Sequence, residues 1–265
     1  MTRSALIGLP FDHESSHLRG AAEAPARVRH ALWSESGNTF SERGVDISDP
    51  SVLRDVGDVV ASDSEAHAAT TAAVLDVLES GDRPICIGGD HAVTWPIIES
   101  IAQHHDDVTI LHVDAHPDLY DDFEGNPASH ASPFARIMER GLAQRLVQVG
   151  IRTLTPHLRE QVERFGVTCI EAKECAARLP ELRIEGPVYV SIDLDGLDPA
   201  CAPGVSHPEP GGLMTRDVID LIHRLSGRLV GADVVEYNPT RDHHDLTAYV
   251  AAKLVKELIA HVDPS

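Results

Sequence analysis

The sequence predicts an α/β fold in which a mostly parallel sheet is covered by helices on both faces. Short apolar runs alternate with longer stretches of helical periodicity along the whole chain, which is typical of layered α/β domains. The apolar runs are continuous in Val, Ile and Leu, as expected for strands that are buried on both faces. No linker, repeat or low-complexity tract interrupts this pattern, so we expect one domain over residues 1–265.

The seven strands and seven helices that we predict follow from these local patterns. The strands are apolar runs that are too short for a core helix. They are predicted at residues 5–9, 84–87, 108–113, 146–149, 167–170, 188–192 and 229–235. The helices are longer stretches in which apolar residues recur at helical spacing. They are predicted at residues 24–33, 64–79, 94–105, 134–140, 156–165, 215–225 and 246–261.

The composition argues against several classes of protein. Asp and Glu number 42 against 22 Lys and Arg, a formal net charge of −20 that repels a phosphate backbone, so we expect no nucleic-acid partner. The four cysteines are scattered without a C-x-x-C pair, which argues against a disulfide framework or a structural zinc site. Since we find neither a signal-peptide pattern nor a membrane-length apolar run, we expect no membrane partner and a cytoplasmic location.

Polar residues cluster directly after several predicted strands, which is where open parallel sheets bind their ligands. The strand that ends at residue 87 leads into Gly88, Gly89, Asp90 and His91. Paired glycines allow a tight turn and a close backbone approach, so His91 can point into a crevice. A buried histidine with a purely structural role is the alternative at this position.

Asp114, His116 and Asp118 follow the strand predicted at residues 108–113. Alternate residues of an extended segment point to one face, so these three side chains would lie together. Without a cation among them they would repel one another or stay unsatisfied. We therefore expect a bound metal ion here, with a solvated loop as the alternative.

Asp193 and Asp195 repeat this alternation after the strand at residues 188–192, whereas Asp198 is typical of a turn. Two close carboxylates could instead form an acid–base pair, but the two neighbouring clusters favour metal binding. The combined oxygen-rich set exceeds the needs of one tetrahedral zinc and suits two adjacent divalent ions. Manganese is favoured, and iron, cobalt, nickel and zinc are compatible. A two-metal centre activates water at neutral pH, which predicts a hydrolase.

Two further residues are candidates for handling the substrate. Glu236 follows the strand at residues 229–235, and a carboxylate that is not needed as a ligand could bind and orient a cation. A surface glutamate is the alternative. His130 lies in a loop and could shuttle protons, or simply face solvent.

Four motifs, in this order and at these spacings, resemble those of the ureohydrolase family of arginases and agmatinases. They are GGDH at residues 88–91, DAHPD at 114–118, SIDLDGLDP at 191–199 and DVVEYNP at 233–239. The resemblance covers nearly the whole chain, and DAHPDLYDDFEGN and APGVSHPEPGG are particularly similar to the plant-type branch. It implies a single three-layer α/β/α domain, in agreement with the fold predicted above. It also implies a homo-oligomer, either a trimer or a hexamer.

The resemblance assigns a role to each candidate residue at its matching position. Two manganese ions per subunit are implied, with Asp114 and Asp193 bridging them. The six implied ligands are His91, Asp114, His116, Asp118, Asp193 and Asp195. Glu236 would grip the guanidinium group of a small cationic substrate, His130 would relay protons, and Asp118 would also pass a proton to the leaving amine. The implied products are urea and an amine.

Two departures from the arginase pattern bear on the substrate. Residues 124–129 lack the Ser-x-Asn that helps hold the α-carboxylate in animal and bacillus-type arginases, although Asn126 is a candidate substrate contact. Arg152 and Thr153 stand where those arginases carry an acidic residue for the α-amino group. Both departures favour agmatine, which would yield putrescine. L-arginine, guanidinobutyrate and guanidine are the alternative substrates. Arginine is included because the plant-type branch shares these features.

Two alternatives come from other classes of protein. A metal-dependent deacetylase of the same fold typically holds a single zinc with fewer ligands. A non-enzymatic relative usually lacks a ligand or one of the residues that match Glu236 and His130, and none is missing here. We expect His207 to brace its loop rather than line the substrate mouth, and we assign no role to His13 and His17.

Overall fold

Eight parallel strands form one sheet at the centre of the structure, a computed structural model that describes residues 2–261. The strands are β1 (Ser4–Gly8), β2 (Leu53–Asp58), β3 (Arg83–Ile87), β4 (Thr109–Val113), β5 (Arg145–Ile151), β6 (Thr168–Glu171), β7 (Pro187–Asp193) and β8 (Arg228–Val235). Their order across the sheet is β2-β1-β3-β8-β7-β4-β5-β6. Since every neighbouring pair is parallel, all the carboxyl ends lie at one edge of the sheet.

In the described part of the chain, eight α-helices cover the two faces of this sheet. They are α1 (Ala24–Leu32), α2 (Ala66–Glu79), α3 (Thr94–Ile101), α4 (Pro133–Glu139), α5 (Pro156–Arg164), α6 (Ala172–Arg178), α7 (Thr215–His223) and α8 (Leu246–Ile259). Helices α1, α6, α7 and α8 contribute Val28, Cys175, Leu221 and Leu258 to one core cluster. Helices α2 to α5 contribute Val74, Ile97, Ile137 and Leu158 to the other. Two apolar cores on opposite sides of the sheet confirm the predicted three-layer α/β/α domain.

The predicted elements are present, and their bounds differ from the prediction by one or two residues, apart from the helix at 94–105. That helix ends at Ile101. Two elements were missed. Strand β2 reads LRDVGD and lies at the edge of the sheet with most of its residues exposed, so it lacks an apolar run. Helix α6 is only seven residues long and buries just Cys175 completely, which leaves no helical periodicity to detect.

Two glycines at the end of β3 permit the packing that places the following residues. A Cβ on Gly88 would lie 2.5 Å from the side chain of Val235, and one on Gly89 would lie 1.8 Å from the carbonyl oxygen of Phe11. The chain can therefore pass close to Phe11, whose carbonyl accepts a hydrogen bond from the Asp90 amide at 2.9 Å. Within residues 2–261, none of the helices combines the length and apolar character that a bilayer span requires.

Candidate active site

Four neighbouring strands in the middle of the sheet carry predicted site residues at their carboxyl ends. Across the sheet these strands are β3, β8, β7 and β4. His91 follows β3, Glu236 follows β8, Asp193 ends β7 and Asp114 follows β4. Because the strands end at one edge, residues as far apart in the sequence as His91 and Glu236 come into hydrogen-bond contact.

The first group of candidate metal ligands, group A, comprises His91, Asp114, Asp118 and Asp193. The Nδ1 atom of His91 lies 2.9 Å from Asp118 Oδ2 and 3.2 Å from Asp193 Oδ2. The same atom lies 3.3 Å from Asp114 Oδ2. Although it is buried, it has no hydrogen bond of good geometry. One imidazole nitrogen and three carboxylates therefore converge on one point.

The second group, group B, comprises Asp114, His116 and Asp195. The Nδ1 atom of His116 lies 3.1 Å from Asp195 Oδ2 and 3.5 Å from Asp114 Oδ1. Asp114 belongs to both groups, with one carboxylate oxygen near His91 and the other near His116. The Asp195 amide also donates to Asp193 Oδ1 at 2.7 Å. The two groups are therefore contiguous, as two adjacent ions require.

The electrostatics of these groups fit bound cations. Burial, reinforced by the charges of Asp195 and Asp114, raises the pKa of Asp193 well above its usual value. Burial likewise raises the pKa of Asp195 to about 7. Carboxylates held this close in a buried site stay ionised only beside positive charge. Carboxylate oxygens with a minority of imidazole nitrogens suit a hard divalent ion such as manganese, so the residues fit the predicted pair of ions.

Buried polar side chains beneath the two groups hold the ligands in place. His91 Nε2 lies 3.0 Å from Ser191 Oγ, and Ser191 donates to Asp233 at 2.6 Å. His112 Nε2 lies 2.7 Å from Asp114 Oδ2. Such partners fix the orientation of ligating side chains. Sequence reasoning missed them, although Ser191, Asp233 and His112 are each a polar residue inside a predicted apolar strand, and that signal could have found them.

Glu236 and His130 form a hydrogen-bonded pair beside group A. His130 Nδ1 lies 2.8 Å from Glu236 Oε1, which also accepts the His91 amide at 2.9 Å. Burial opposes charge on His130, but the neighbouring Glu236 carboxylate outweighs it and raises the pKa of His130 to about 9. Burial favours a neutral Glu236, but His130 outweighs it and lowers the pKa of Glu236. This pair can hold and move a proton.

A cavity of about 300 Å³ opens onto these residues. Its lining includes six of the predicted residues, namely His116, Asp118, His130, Asp193, Asp195 and Glu236. Ser16, Tyr120, Thr153 and Thr155 line it as well. The expectation for His207 was wrong, because its side chain also lines this cavity. Its ring centroid lies 5.2 Å from that of His130 and 6.2 Å from that of His116.

The structure does not bring every candidate to the cavity. The amide of Asn126 donates to Glu14 Oε2, and Asn126 is not among the lining residues. His13 lines a separate cavity with Asp90 and Trp95. His17 lies beside the mouth, with its ring centroid 5.6 Å from that of His207.

Arg152, which was read as a substrate signal, instead braces the backbone under group B. Its guanidinium donates to the carbonyl oxygens of Asp195 at 2.7 Å, Glu209 at 2.6 Å and Gly150 at 3.0 Å. It also donates to the carbonyls of Gly196 and Leu197. Arg152 therefore fixes the segment that carries Asp195, and it is not among the residues that line the cavity.

The fold and the two groups define an α/β protein with a candidate two-metal centre. Residues 2–261 match the family model described as "Arginase family". The chain belongs to this family of hydrolases, which have a binuclear metal centre and act on the C–N bonds of guanidino groups. The resemblance inferred from the four motifs is thereby confirmed.

Individual relatives show how similar the chain is to the branches of this family. It is 48% identical to "Arginase, mitochondrial" from Medicago truncatula over 97% of this chain and 81% of that protein. It is 32% identical to "Agmatinase" from Bacillus anthracis over 96% of this chain and 90% of that protein. The solved structure of arginase from Medicago truncatula superposes with a TM-score of 0.92 at 47% identity, covering 98% of this chain and 87% of that one.

Proposed function

We propose that this protein hydrolyses L-arginine to urea and ornithine, with two manganese ions per subunit. The relatives support arginine over the agmatine that the sequence departures favoured, since the plant proteins named arginase are 44% to 49% identical and the proteins named agmatinase 32% to 33%. The presence of Arg152 also no longer favours agmatine. Its side chain binds backbone carbonyls, so it gives no information about the head group of the substrate.

The observation that carries the proposal is the placement of Glu236. Its carboxylate lines the same cavity as Asp118, His116, Asp193 and Asp195. The Oε1 atom accepts hydrogen bonds from His91 and His130, whereas no described residue donates to Oε2. Oε2 can therefore accept from a guanidinium and hold its carbon next to the ligand groups.

Six residues would hold the two ions. Group A and group B supply them as His91, Asp114, His116, Asp118, Asp193 and Asp195, with Asp114 common to both. Manganese bound there would provide Lewis acidity and would lower the pKa of water enough to make it a nucleophile at neutral pH. The excess of carboxylate ligands favours manganese over zinc.

The chain's own residues then handle the substrate and the protons. Glu236 orients the guanidinium, and its charge is retained because His130 lowers its pKa. Asp118 lies at the cavity wall with a carboxylate that can pass a proton to the leaving amine. His130 keeps Nδ1 on Glu236 and can exchange a proton at Nε2. Burial of this set excludes most water and strengthens each electrostatic contact.

Urea release from L-arginine and from agmatine, measured side by side with the manganese-loaded protein, tests the proposal. We expect kcat/KM for arginine to exceed that for agmatine by at least ~10-fold, since a site that hydrogen-bonds a polar head group discriminates against its loss by that much or more. Detection of ornithine as the second product would support it. A higher kcat/KM for agmatine would overturn the choice of substrate, and no urea from either would overturn the hydrolase assignment.

Agmatine is the second candidate because of one observation. Among the described residues that line the cavity, none is Lys or Arg. Apart from His130, whose charge is already paired with Glu236, an α-carboxylate would find neutral donors there, such as the hydroxyl groups of Ser16, Tyr120 and Thr153. Agmatine, which has no carboxylate, needs no such partner.

We also propose the cytoplasmic location and the homo-trimer or homo-hexamer that the sequence predicts. Light scattering after size-exclusion chromatography would test the assembly, since a single peak at the monomer mass would contradict it.

A further inference from the structure

We propose that Ser16 is a positioning residue of the reaction and the outlet through which His130 exchanges protons with solvent. This inference rests on the proposed function, in which His130 relays protons. The Oγ atom of Ser16 lies 2.9 Å from His130 Nε2. Ser16 is exposed, whereas His130 is 8% exposed, so the hydroxyl stands between the buried ring and bulk water.

The loop that carries Ser16 is fastened in front of His130. Asp12 Oδ2 accepts the amide of Gly20 at 2.6 Å, which ties the two ends of the loop together. The amide of Glu14 donates to Asp90 Oδ2 at 3.0 Å, and the carbonyl of Glu14 accepts the amide of His130 at 3.3 Å. Because the loop is bonded directly to the backbone of His130, the hydroxyl of Ser16 is held in register with the imidazole.

The partners of His130 determine which ring nitrogen can exchange its proton. The ionised carboxylate of Glu236 can only accept, so Nδ1 carries a hydrogen and donates to it. Nε2 is therefore the nitrogen that gains and loses a proton, and it faces Ser16 Oγ. A hydroxyl group both donates and accepts, so Ser16 pairs with Nε2 in either protonation state.

The relay step balances without any other reactant. The Nε2–H bond of the imidazolium breaks as a bond forms between that proton and Ser16 Oγ. The original hydroxyl proton of Ser16 passes at the same time to a water molecule, which becomes hydronium or transfers the proton to buffer. The reverse sequence returns a proton to His130, and Ser16 ends each cycle as a neutral hydroxyl.

Three variants of the manganese-loaded enzyme test this role through kinetics. Ser16→Ala removes the hydroxyl, Ser16→Thr keeps it, and Ser15→Ala is the matched control because the Ser15 hydroxyl bonds to Asp90 instead. We expect Ser16→Ala to lower kcat about 10-fold, since proton transfer contributes 10²–10⁴-fold to such reactions. KM should stay within about 2-fold of wild type, and the solvent isotope effect on kcat should increase. Ser16→Thr should recover most of kcat. A wild-type kcat and pH profile for Ser16→Ala would overturn the proposal.

A second measurement does not depend on turnover. Carbethoxylation of individual histidines, followed by peptide mass spectrometry, measures how accessible the His130 ring nitrogen is to the reagent. We expect faster labelling of His130 in Ser16→Ala than in wild type or Ser15→Ala, and unchanged labelling would contradict the contact. If wild type releases no urea, the proposed function fails while this readout still decides the contact. If wild type is active and Ser16→Ala matches it in both assays, only the role of Ser16 fails.

Discussion

His130 and Glu236, which are 106 positions apart in the sequence, are joined by a hydrogen bond of 2.8 Å between Nδ1 and Oε1. Glu236 reaches this position from a backbone with φ of 63°, and Asp118, which lines the same cavity, has φ of 50°. Such left-handed conformations cost a non-glycine residue on the order of 1 kcal/mol. These two of the six described non-glycine residues with positive φ therefore lie where the proposed chemistry takes place, a setting in which folds commonly retain strain.

Replacing Glu236 with Gln tests whether its charge holds the substrate. The amide keeps the size of the side chain and one acceptor oxygen, but it has no charge to pair with a guanidinium cation. We expect kcat/KM to fall by about 10²–10³, the usual loss when one preorganised electrostatic partner is removed. Urea release measures the loss, and metal analysis with thermal melting serves as the control for an intact site. Activity within a few-fold of wild type would contradict the assigned role.

The sequence was sufficient to predict the layers of the fold and the convergence of the candidate ligands. Both follow from local patterns, since continuous apolar runs indicate buried parallel strands and alternating polar residues at their ends share a face. The sequence could not predict the contact between Ser16 and His130, because this contact depends on how the loop after β1 packs on the loop after β4. Arg152 was misread for the same reason, since only tertiary structure reveals that its guanidinium turns toward carbonyl groups.

Metal content should depend on the two groups in different ways. Asp193→Asn alters a carboxylate of group A that also bonds to Asp195, so we expect it to lose most of the metal. His116→Ala removes a ligand of group B alone, so we expect about one ion per subunit, compared with two in wild type. Elemental analysis after dialysis measures both. The exposed Asp106→Asn is the control and should keep the wild-type content.

Removal of the ions should also destabilise the folded state. A ligand that binds only the native protein stabilises it by about 4 kcal/mol at a thousandfold excess over its Kd. We expect a chelator to lower the melting temperature of wild type by several degrees and that of Asp193→Asn much less. Equal shifts in the two proteins would contradict the assignment of these ligands.

The ion pair between Glu42 and Arg216 should make stability depend on pH. Two hydrogen bonds of 2.8 Å from Arg216, helped by Lys253, lower the pKa of Glu42 from 4.5 to about 2. Because the folded state keeps this charge at lower pH than the unfolded state, the stabilisation is full above about pH 4.5 and is lost as the pH falls toward 2. Glu42 is partly exposed, so we expect less than about 1 kcal/mol.

Urea denaturation of Glu42→Gln and wild type at a series of pH values measures this contribution. The difference in free energy of unfolding should be largest at neutral pH and should shrink as the pH falls below about 4.5. Glu35→Gln, at an exposed position, is the control and should show little difference at any pH. If the difference in free energy of unfolding grew as the pH fell, it would contradict a stabilising ion pair at Glu42.

Gly89 should not tolerate a side chain. A Cβ there would lie 1.8 Å from the carbonyl oxygen of Phe11, and a backbone atom cannot move aside cheaply. We expect Gly89→Ala to cost about 1–3 kcal/mol, as overpacked sites do. We also expect lower activity, because the next two residues include His91. Gly37→Ala is the matched control, since no atom lies within 4 Å of its Cβ, and chemical denaturation of both variants measures the difference.

Arg152 provides a test that separates support of the metal centre from recognition of the substrate. Its guanidinium bonds to the carbonyls of Asp195 and Glu209, so Arg152→Met leaves buried acceptors without a donor. We expect a loss of about 2–4 kcal/mol in the free energy of unfolding and weaker binding of the ion at group B. Arg159→Met is the control, because its surface pair with Glu171 is worth less than about 1 kcal/mol.

The ratio of kcat/KM for arginine to that for agmatine should stay at the wild-type value in Arg152→Met, since Arg152 does not line the cavity. A changed ratio in a variant of normal stability and metal content would show that Arg152 contributes to recognition of the substrate head group.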